Sequence, residues 1–433
     1  MLKRILTIAA GVTLGLTISA GTAHFAALFG WWPNRDLDRS ASTLREVLKL
    51  VNENYVDPKS AALPELTKAA LDGLVGTLDP HSEYLDAADY KELQEDISAE
   101  FGGIGVQVEL NKAGRVVVIA PVAGTPGDRA GIRRGDEIVS IDGADLIKPA
   151  MQDIVTRLRG KPGSKVRLGL HRPSDSKDLA LTLTRESIHV ESVRDAHVLP
   201  DGIGYLQLTQ FADHTADEFM KALKQLQAQG MRALIIDERN NPGGLLDTVV
   251  DVAGPFFKNG ELIVYTQGRN PKDRDEYRAD NPAPPLTLPV AVIINAGSAS
   301  AAEILAGALK DTHRAVIVGE RSFGKGSVQS IFKLGNSDGL RLTIARYYTP
   351  GGEVIHGHGI APDVEMVATP EEDRSLALQR DRSDITDPAA FKERFGIELV
   401  PDRQLAAAVD VLHATLLLGD RAAAQVPTTA VRP

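Results

Sequence analysis

The spacing of hydrophobic and polar positions changes several times along the chain, and the first stretch carries no charged residue at all. This uncharged run, residues 5–32, follows Lys3 and Arg4. It is long enough to cross a bilayer, which takes about 20 apolar residues, and the small residues at 21–23 are typical of a signal-peptide cleavage site. We therefore expect residues 1–32 to be a signal peptide or a membrane anchor, and the chain to be exported.

Apolar residues recur at helical spacing in the next region, residues 34–97. Leu44 and Leu48 fall on one face of a predicted helix. Thr43 and Glu46 have the spacing of a capping box, which predicts that a helix begins at Thr43. We expect this region to be an N-terminal helical segment.

Strand-like alternation replaces the helical spacing at residue 98. The stretches "GVQVEL" and "RVVVIAPV" flank "NKAG", which predicts a hairpin, and "AGIRRGDEIVSIDG" continues a β-rich unit over 98–185. From 186 to 365, strands alternate with helical stretches, which predicts an α/β domain with its site on the loops at the strand ends. A charged tail, 366–433, is predicted to be a C-terminal helical region.

Composition excludes several classes of function. The 433 residues carry a net charge of −10, so no nucleic-acid partner is expected, because such proteins usually present a basic surface. The absence of cysteine excludes disulfides, thiolate metal sites, cysteine nucleophiles and a lipoprotein anchor. Asp79, His81 and Glu83 in "LDPHSEYL" match no standard set of metal ligands, and we interpret this segment as a structural turn. Neither a metal nor a cofactor is expected.

A candidate nucleophile lies in "NAGSASAAEILAGALKD", residues 295–311. Ser298 and Ser300 follow a predicted buried strand and precede a helix, whose dipole favours negative charge at this end. Serine at a helix start is more often only a cap. Histidine is a poor candidate base here: His313 lies on the order of 20 Å away along the helix, and no carboxylate is placed to orient the histidines of "VIHGHG".

Lys325, in "FGKGSVQ", is a better candidate base. It also follows a predicted buried strand, so its loop should emerge at the same sheet edge as the serine loop. Lysine acts as a general base only if burial lowers its pKa from about 10.4 towards 7–8. Gln329 is placed to hold the amine through a hydrogen bond without adding charge. Standing alone, Lys325 would be interpreted as a solvated loop lysine.

Together, these segments resemble the carboxy-terminal processing proteases, serine–lysine peptidases of family S41 that carry a PDZ domain before a crotonase-like catalytic domain. The resemblance covers about residues 40–365 and rests on "LDPHSEY", the β-rich unit, "DERNNPGG", "GSASAAEILAGALKD", "GERSFGKGSVQ" and "RLTIARYYTPGGEVIHGHGIAPD". It implies an α/β core of the crotonase/ClpP-like type, with an inserted β-rich PDZ domain over 98–185 and helical N- and C-terminal segments.

The resemblance also implies the roles of individual residues in an exported serine endopeptidase. In the family the nucleophile precedes the lysine by 25 positions, which selects Ser300 over Ser298. Lys325 is then the general base of a Ser–Lys dyad that acts through an acyl-enzyme, and Gln329 positions the lysine.

Backbone amides are expected to bind the oxyanion and the substrate C-terminus. The oxyanion donors would be Ala301 and one of Gly243 and Gly244, because a glycine pair leaves room for the scissile carbonyl. Successive amides in a glycine turn can receive a terminal carboxylate while the peptide adds as a strand. The PDZ residues that resemble this loop are Gly103, Ile104, Gly105 and Val106.

Two positions depart from the family pattern. Glu238 stands where the family usually has leucine in "DLRNNPGG", and Ala302 replaces the third serine of "SASASE". Neither replaces a catalytic group, so activity is still expected. We expect Glu238 to change the charge at the rim of the site.

Partners follow from the resemblance as well. Protein substrates with apolar C-termini, a bacterial periplasmic location, a homo-oligomer and a helical-repeat lipoprotein adaptor are implied, with membrane contact through the N-terminal segment if it is uncleaved. The PDZ domain is further expected to gate the site. Two alternatives are a non-proteolytic PDZ-containing binding protein of the same fold and an acyl-CoA enzyme of the crotonase type. The intact dyad disfavours the first, and the PDZ unit with the export signal disfavours the second.

Overall fold

The fold is described from a computed structural model that covers residues 35–111, 113–382 and 385–424. The predicted signal peptide or membrane anchor, residues 1–32, lies outside the described residues. Within those ranges, none of the helices combines the length and the apolar character needed to cross a membrane.

The first of two compact units contains α1 (Arg35–Asn54) and α2 (Leu63–Gly76). The predicted helix start at Thr43 is wrong, because Thr43 lies inside α1 and its hydroxyl donates to the carbonyl of Arg39 at 3.0 Å. Aspartates occupy the first turn of α1 instead, where the positive end of the helix dipole favours acidic side chains.

The "LDPHSEYL" segment is a turn held by one carboxylate. Asp79 accepts hydrogen bonds from the amides of His81 (2.8 Å) and Ser82 (2.9 Å) and from the Ser82 hydroxyl (2.7 Å). This agrees with the structural turn that the sequence predicts. The short strand β1 (Glu83–Leu85) follows.

The second unit opens with α3 (Ala87–Ser98) and then enters the β-rich domain through β2 (Glu100–Gly103). The elements that follow β2 are β3 (Val106–Leu110), β4 (Val116–Pro121), α4 (Pro126–Arg129), β5 (Glu137–Ile141), β6 (Ala144–Asp145), α5 (Met151–Leu158), β7 (Lys165–Arg172), β8 (Lys177–Thr184) and β9 (Glu186–His189). The main sheet of this domain is antiparallel in the order β3-β4-β5-β7-β8, with β6 paired to β5.

The β-rich domain enters and leaves through a single two-stranded ribbon. β2 and β9 pair antiparallel, with Glu100 opposite His189 and Gly103 opposite Glu186. The domain has its own core, in which α5 buries Ile154 against the sheet. It is therefore an insertion between the helical segment and the α/β domain.

The elements of the α/β domain are β10 (Val193–Leu199), β11 (Ile203–Leu208), α6 (Thr215–Ala228), β12 (Ala233–Asp237), α7 (Leu246–Ala253), β13 (Leu262–Gly268), β14 (Arg274–Arg278), β15 (Val290–Ile294), α8 (Ala301–Asp311), β16 (Ala315–Gly319), β17 (Ser327–Lys333), β18 (Gly339–Tyr348) and β19 (Val364–Glu365). The central sheet has the order β10-β11-β12-β15-β16-β19 and is parallel from β11 onward.

Both faces of this sheet are covered. Along β12, Leu234 and Ile236 face the core under α6–α8, while Ile235 faces a second core that contains Ala408 and Leu412. Because strands buried on both faces need apolar residues at every position, "ALII" is a continuous apolar run, unlike the alternating strands of the β-rich domain.

The second core is closed by a helix of the C-terminal region. The C-terminal helices are α9 (Pro370–Asp381), α10 (Pro388–Phe395) and α11 (Arg403–Ala424), and α11 packs on the face of the sheet opposite α6–α8. β13, β14, β17 and β18 form an antiparallel ribbon in the order β17-β18-β13-β14. These elements agree with the predicted α/β core, inserted β-rich domain and helical ends.

Candidate active site

Three loops meet at the carboxyl edge of the parallel strands. They follow β12, β15 and β16, and carry "ERNNPGG", "NAGSAS" and "ERSFGKG". Loops at this edge of an open α/β sheet commonly form ligand sites. The structure thus brings the serine and lysine loops to the same edge, as the sequence predicts.

Ser300 lies immediately before α8 and has an unusual backbone conformation. Its φ is 58° and its ψ is −114°, and only 4% of its surface is exposed. Positive φ is rare for a residue other than glycine and commonly marks a functional position. Ser298 is fully buried instead, and its hydroxyl donates to the carbonyl of Glu238 at 2.7 Å. Ser298 therefore supports the turn.

One buried carboxylate joins the serine loop to the lysine loop. Glu303 accepts from the backbone amides of Ser300 (2.8 Å) and Lys325 (2.8 Å) through one oxygen. Its other oxygen accepts from the Ser322 hydroxyl (2.6 Å) and the Gly324 amide (2.6 Å). The role of Glu303 was not predicted from the sequence, although Ser300 and Glu303 have capping-box spacing.

Lys325 is partly buried and lies with Ser300 in a cavity of about 630 Å³. Burial lowers the pKa of Lys325, the positive charge of Arg341 lowers it further, and the negative charge of Glu303 acts against both. Among the described residues, the Lys325 amine makes no hydrogen bond, so none joins it to Ser300 in this conformation. An uncharged amine facing a serine can serve as a general base.

Gln329 lines the same cavity, but it does not hold the lysine amine here. Its amide nitrogen donates to the hydroxyls of Ser327 (2.8 Å) and Thr343 (3.2 Å). The register of β17 against β18 shifts between Val328 and Gln329. The predicted bond from Gln329 to Lys325 is therefore absent from this conformation, while the side chain stands in the same cavity.

The two glycines of "NNPGG" differ in what their amides do. The Gly243 amide donates to the side chain of Asn241 at 2.9 Å. Within the part of the chain that the structure describes, the amides of Gly244 and Ala301 donate to no protein group. A Cβ on Gly243 would lie 2.7 Å from the nitrogen of Ala301, and one on Gly244 would lie 2.1 Å from the carbonyl oxygen of Phe211. Glycine is thus required at both positions.

The "DERNN" loop is fixed by buried charges. The Arg239 guanidinium bonds both Asp237 (2.6 Å) and Asp402, at the start of the C-terminal helix (2.8 Å). Burial opposes ionisation of Asp237, but the charge and hydrogen bonds of Arg239 hold its pKa below the ordinary value. This network links the loop that carries the glycines to the C-terminal region.

Glu238 does not lie at the rim of the site, so that expectation is wrong. Its side chain is fully buried, and neither carboxyl oxygen has a hydrogen-bond partner among the described residues. Burial raises the pKa of Glu238 well above its ordinary value, and the charges of Asp237 and Glu303 raise it further. The position is an apolar one, which agrees with the leucine that the family usually carries there.

The predicted carboxylate-binding loop lines a second cavity, of about 500 Å³, between β3 and α5. The amides of Ile104 and Gly105 donate to none of the described residues. Gly105 has φ +68°, and a Cβ there would lie 2.3 Å from Thr125. This second cavity, called the PDZ groove below, is lined by all four of the predicted residues, Gly103, Ile104, Gly105 and Val106.

The C-terminal helices also line this groove. Leu378, Arg382 and Phe395 contribute to its wall. Glu109, at the end of β3, forms ion pairs with Arg382 (3.7 Å) and with Arg394. The groove is thus bordered by both the β-rich domain and the C-terminal region.

Comparison with known proteins gives two family matches. A model described as peptidase family S41 matches residues 202–366, and a PDZ domain model matches residues 117–172. The carboxy-terminal-processing protease of Bartonella bacilliformis is 36% identical over 373 residues, which are 84% of this chain and 82% of that protein. The carboxy-terminal processing protease CtpB of Bacillus subtilis is 33% identical, over 76% of this chain and 68% of that protein.

Among solved structures, the photosystem II D1 C-terminal processing protease is similar to this chain. It is 30% identical, with a TM-score of 0.43, and the match covers 75% of this chain and 92% of that one.

Proposed function

Because this chain belongs to peptidase family S41 and is a serine-type peptidase with a peptide-binding PDZ domain, we propose that it is an exported endopeptidase acting through Ser300 and Lys325. The observation that carries the proposal is their shared cavity, in which burial lowers the pKa of the lysine. Burial thus favours the neutral amine that a general base requires.

The proposed reaction runs through an acyl-enzyme. The neutral Lys325 amine takes the proton of the Ser300 hydroxyl as its oxygen attacks the scissile carbonyl carbon. The resulting ammonium gives this proton to the leaving amine as the carbon–nitrogen bond breaks, which leaves an ester on Ser300. Water then attacks the ester, Lys325 accepts the water proton, and that proton returns to the serine oxygen.

The oxyanion of each tetrahedral intermediate needs hydrogen-bond donors. Since the Gly243 amide is engaged by Asn241, we assign this role to the amides of Gly244 and Ala301. Loss of one such donor typically costs about 10²–10³ in rate. In our proposal Gln329 turns its amide oxygen to the lysine amine once the dyad closes, since its amide nitrogen is already held by Ser327.

We further propose that the PDZ domain reads an apolar protein C-terminus and gates the site. The free amides of Ile104 and Gly105 support carboxylate binding. The Ser300 hydroxyl and the Lys325 amine share no hydrogen bond, while the Lys325 backbone amide is held by Glu303. This supports a resting conformation, which peptide binding converts to an active one in our proposal. Deletion of residues 98–185 should either abolish or release proteolysis, and unchanged activity and specificity would refute the gating role.

The dyad is tested with a fluorogenic peptide. Ser300→Ala and Lys325→Ala should each abolish cleavage while the circular dichroism spectrum stays that of the wild type. Lys333→Ala, which changes an exposed lysine on β17, is the matched control and should keep wild-type activity. Cleavage by purified Ser300→Ala protein would refute the assignment. Loss of activity only in the control would refute it too.

Location and partners are proposed from the uncharged segment 5–32 and from the resemblance. We propose export to the bacterial periplasm, with mass spectrometry of the native N-terminus deciding between a cleaved signal and an anchor.

A homo-oligomer is supported by α1, which has no buried residue and exposes Val47 and Leu50. Light scattering of the wild type and of Leu50→Glu tests it. Dependence on a helical-repeat adaptor stays a prediction.

A further inference from the structure

Three potential metal ligands converge at the base of the PDZ insertion. Glu100 lies on β2, His189 opposite it on β9, and His214 directly before α6. One ligand atom from each of these side chains lies within 4.8 Å of the others. The residues are far apart in sequence and belong to no part of the proposed active site.

The spacing between two of these ligands already suits a metal ion. Nε2 of His214 lies 3.5 Å from a carboxylate oxygen of Glu100. In a tetrahedral site with bonds of about 2.1 Å, neighbouring ligand atoms are about 3.4 Å apart. The ligand atom of His189 lies within 4.8 Å of the other two, so a side-chain adjustment on the order of 1 Å would bring it to the tetrahedral spacing.

The third candidate ligand, His189, already has a carboxylate partner, as metal-binding histidines usually do. Nε2 of His189 lies 2.5 Å from a carboxylate oxygen of Glu218. Glu218 is itself fixed, because its other oxygen accepts from the amides of Ser192 (2.7 Å) and Val193 (3.0 Å). A histidine that binds a metal through one nitrogen commonly donates from the other to a carboxylate.

The remaining nitrogen of His189 is the strongest single indication. Nδ1 is buried and has no hydrogen-bond partner among the residues that the structure describes. A buried polar atom without a partner costs free energy. With Nε2–H donating to Glu218, Nδ1 carries a lone pair, which is what a metal ion requires. Glu100 and His214 keep solvent-exposed side chains, so an ion has a path to the site.

We propose that Glu100, His189 and His214 bind one divalent transition-metal ion, with water at the fourth position. Two nitrogens and one carboxylate oxygen in a tetrahedral arrangement suit Zn²⁺ best. Because β2 and β9 are the strands through which the PDZ domain enters and leaves, the ion joins this ribbon to the residue that caps the start of α6. It therefore braces the PDZ insertion against the catalytic domain.

The test uses the full chain stripped with EDTA and titrated with Co²⁺, whose visible absorption reports tetrahedral coordination, and then with Zn²⁺ in competition. One ion per chain is expected. His214→Gln should weaken binding more than about 100-fold, since removing even a partner of a ligand costs about 10–100-fold. Glu218→Gln, which removes such a partner, should weaken binding within that range.

His197→Gln is the matched control, because His197 pairs with Asp195 (3.3 Å) outside the cluster. It should bind Co²⁺ as the wild type does. Thermal unfolding in EDTA checks that each variant folds, and Glu100→Gln replaces any histidine variant that does not. A wild-type chain without a tetrahedral Co²⁺ spectrum, or a His214→Gln chain that binds as tightly as wild type, overturns the proposal whether or not the chain proves to be a protease.

Discussion

The carboxylate of Glu303 accepts hydrogen bonds from the backbone amides of both Ser300 and Lys325, each at 2.8 Å. The two residues that we propose as nucleophile and base lie on separate loops, and this single oxygen connects them. The Glu303 carboxylate makes no hydrogen bond to the Ser300 hydroxyl or to the Lys325 amine, so we assign it a positioning role. The relative placement of the two loops therefore depends on it.

Glu303→Gln tests this dependence. The glutamine amide nitrogen cannot accept a hydrogen bond, so two of the four donors lose their partner, at about 1–3 kcal/mol for each buried group left unsatisfied. We expect kcat in the fluorogenic peptide assay to fall at least about tenfold with KM little changed, and the melting temperature to drop. Glu371→Gln, at an exposed position, should change neither. A melting temperature that drops without any loss of kcat would restrict Glu303 to stability.

Arg341→Gln tests the electrostatic control of the base. Burial lowers the pKa of Lys325 first, and the charge of Arg341 lowers it further. Without that charge the pKa of Lys325 rises, so the neutral amine appears only at higher pH. The rising limb of kcat/KM against pH should then move to higher pH, while Arg346→Gln, at an exposed position on the same strand, should leave it in place. Movement to lower pH would contradict the role of Lys325 as base.

Glu238→Leu should stabilise the protein. The folded state raises the pKa of Glu238, so between the ordinary value and the raised one the folded chain binds more protons than the unfolded chain. Stability therefore falls as pH rises through that window. Replacing Glu238 by leucine removes this pH-dependent loss of stability and also removes the buried carboxyl group. We therefore expect the free energy of unfolding to rise by about 1–3 kcal/mol.

The gain from Glu238→Leu should be larger at pH 8 than at pH 4.5, and thermal unfolding at the two pH values measures it. Glu191→Leu, at an exposed position, should give no such pH-dependent gain. Peptidase activity should survive, because Glu238 has no place in the proposed mechanism. An equal gain at both pH values would show that Glu238 does not titrate as described.

Glu109→Gln tests the border of the PDZ groove. It removes ion pairs with Arg382 and Arg394 that join the C-terminal helices to β3. Without these pairs the C-terminal helices are held less firmly against the groove, so a peptide displaces them at a lower cost in free energy. Because such partly exposed pairs contribute up to about 1 kcal/mol, a peptide with a free apolar C-terminus should bind up to about fivefold more tightly. Fluorescence anisotropy measures this, with an amidated peptide as the non-binding control. Weaker binding would mean that Glu109 itself contacts the peptide.

Much of the architecture could be predicted from apolar periodicity. Continuous apolar runs such as β12 indicate strands buried on both faces, and the loops after parallel strands emerge at one edge. The serine loop and Lys325 could therefore be placed together from the sequence, while the choice of Ser300 over Ser298 followed from the family resemblance. The start of α1 was missed, because Thr43 and Glu46 have capping-box spacing but lie inside the helix, where the Thr43 hydroxyl bonds a backbone carbonyl.

Contacts between distant segments could not be predicted. Glu303 bonds Ser322 and Gly324, 19 and 21 residues away, and nothing in local spacing indicates such a contact. The burial of Glu238 was misjudged because charged side chains are normally exposed. Glu100 and His189 meet only because the whole PDZ domain is inserted between them.

The ion pair between Arg239 and Asp402 also has a consequence for biosynthesis. Asp402 follows Arg239 by 163 residues, which a ribosome adds in about 8–30 s at about 5–20 residues per second. Until then the guanidinium beside the glycine loop has only Asp237 as its carboxylate partner. The loop that carries the proposed oxyanion donors therefore gains this support only after Asp402 has been translated, and a nascent chain that has not reached Asp402 lacks a finished catalytic edge.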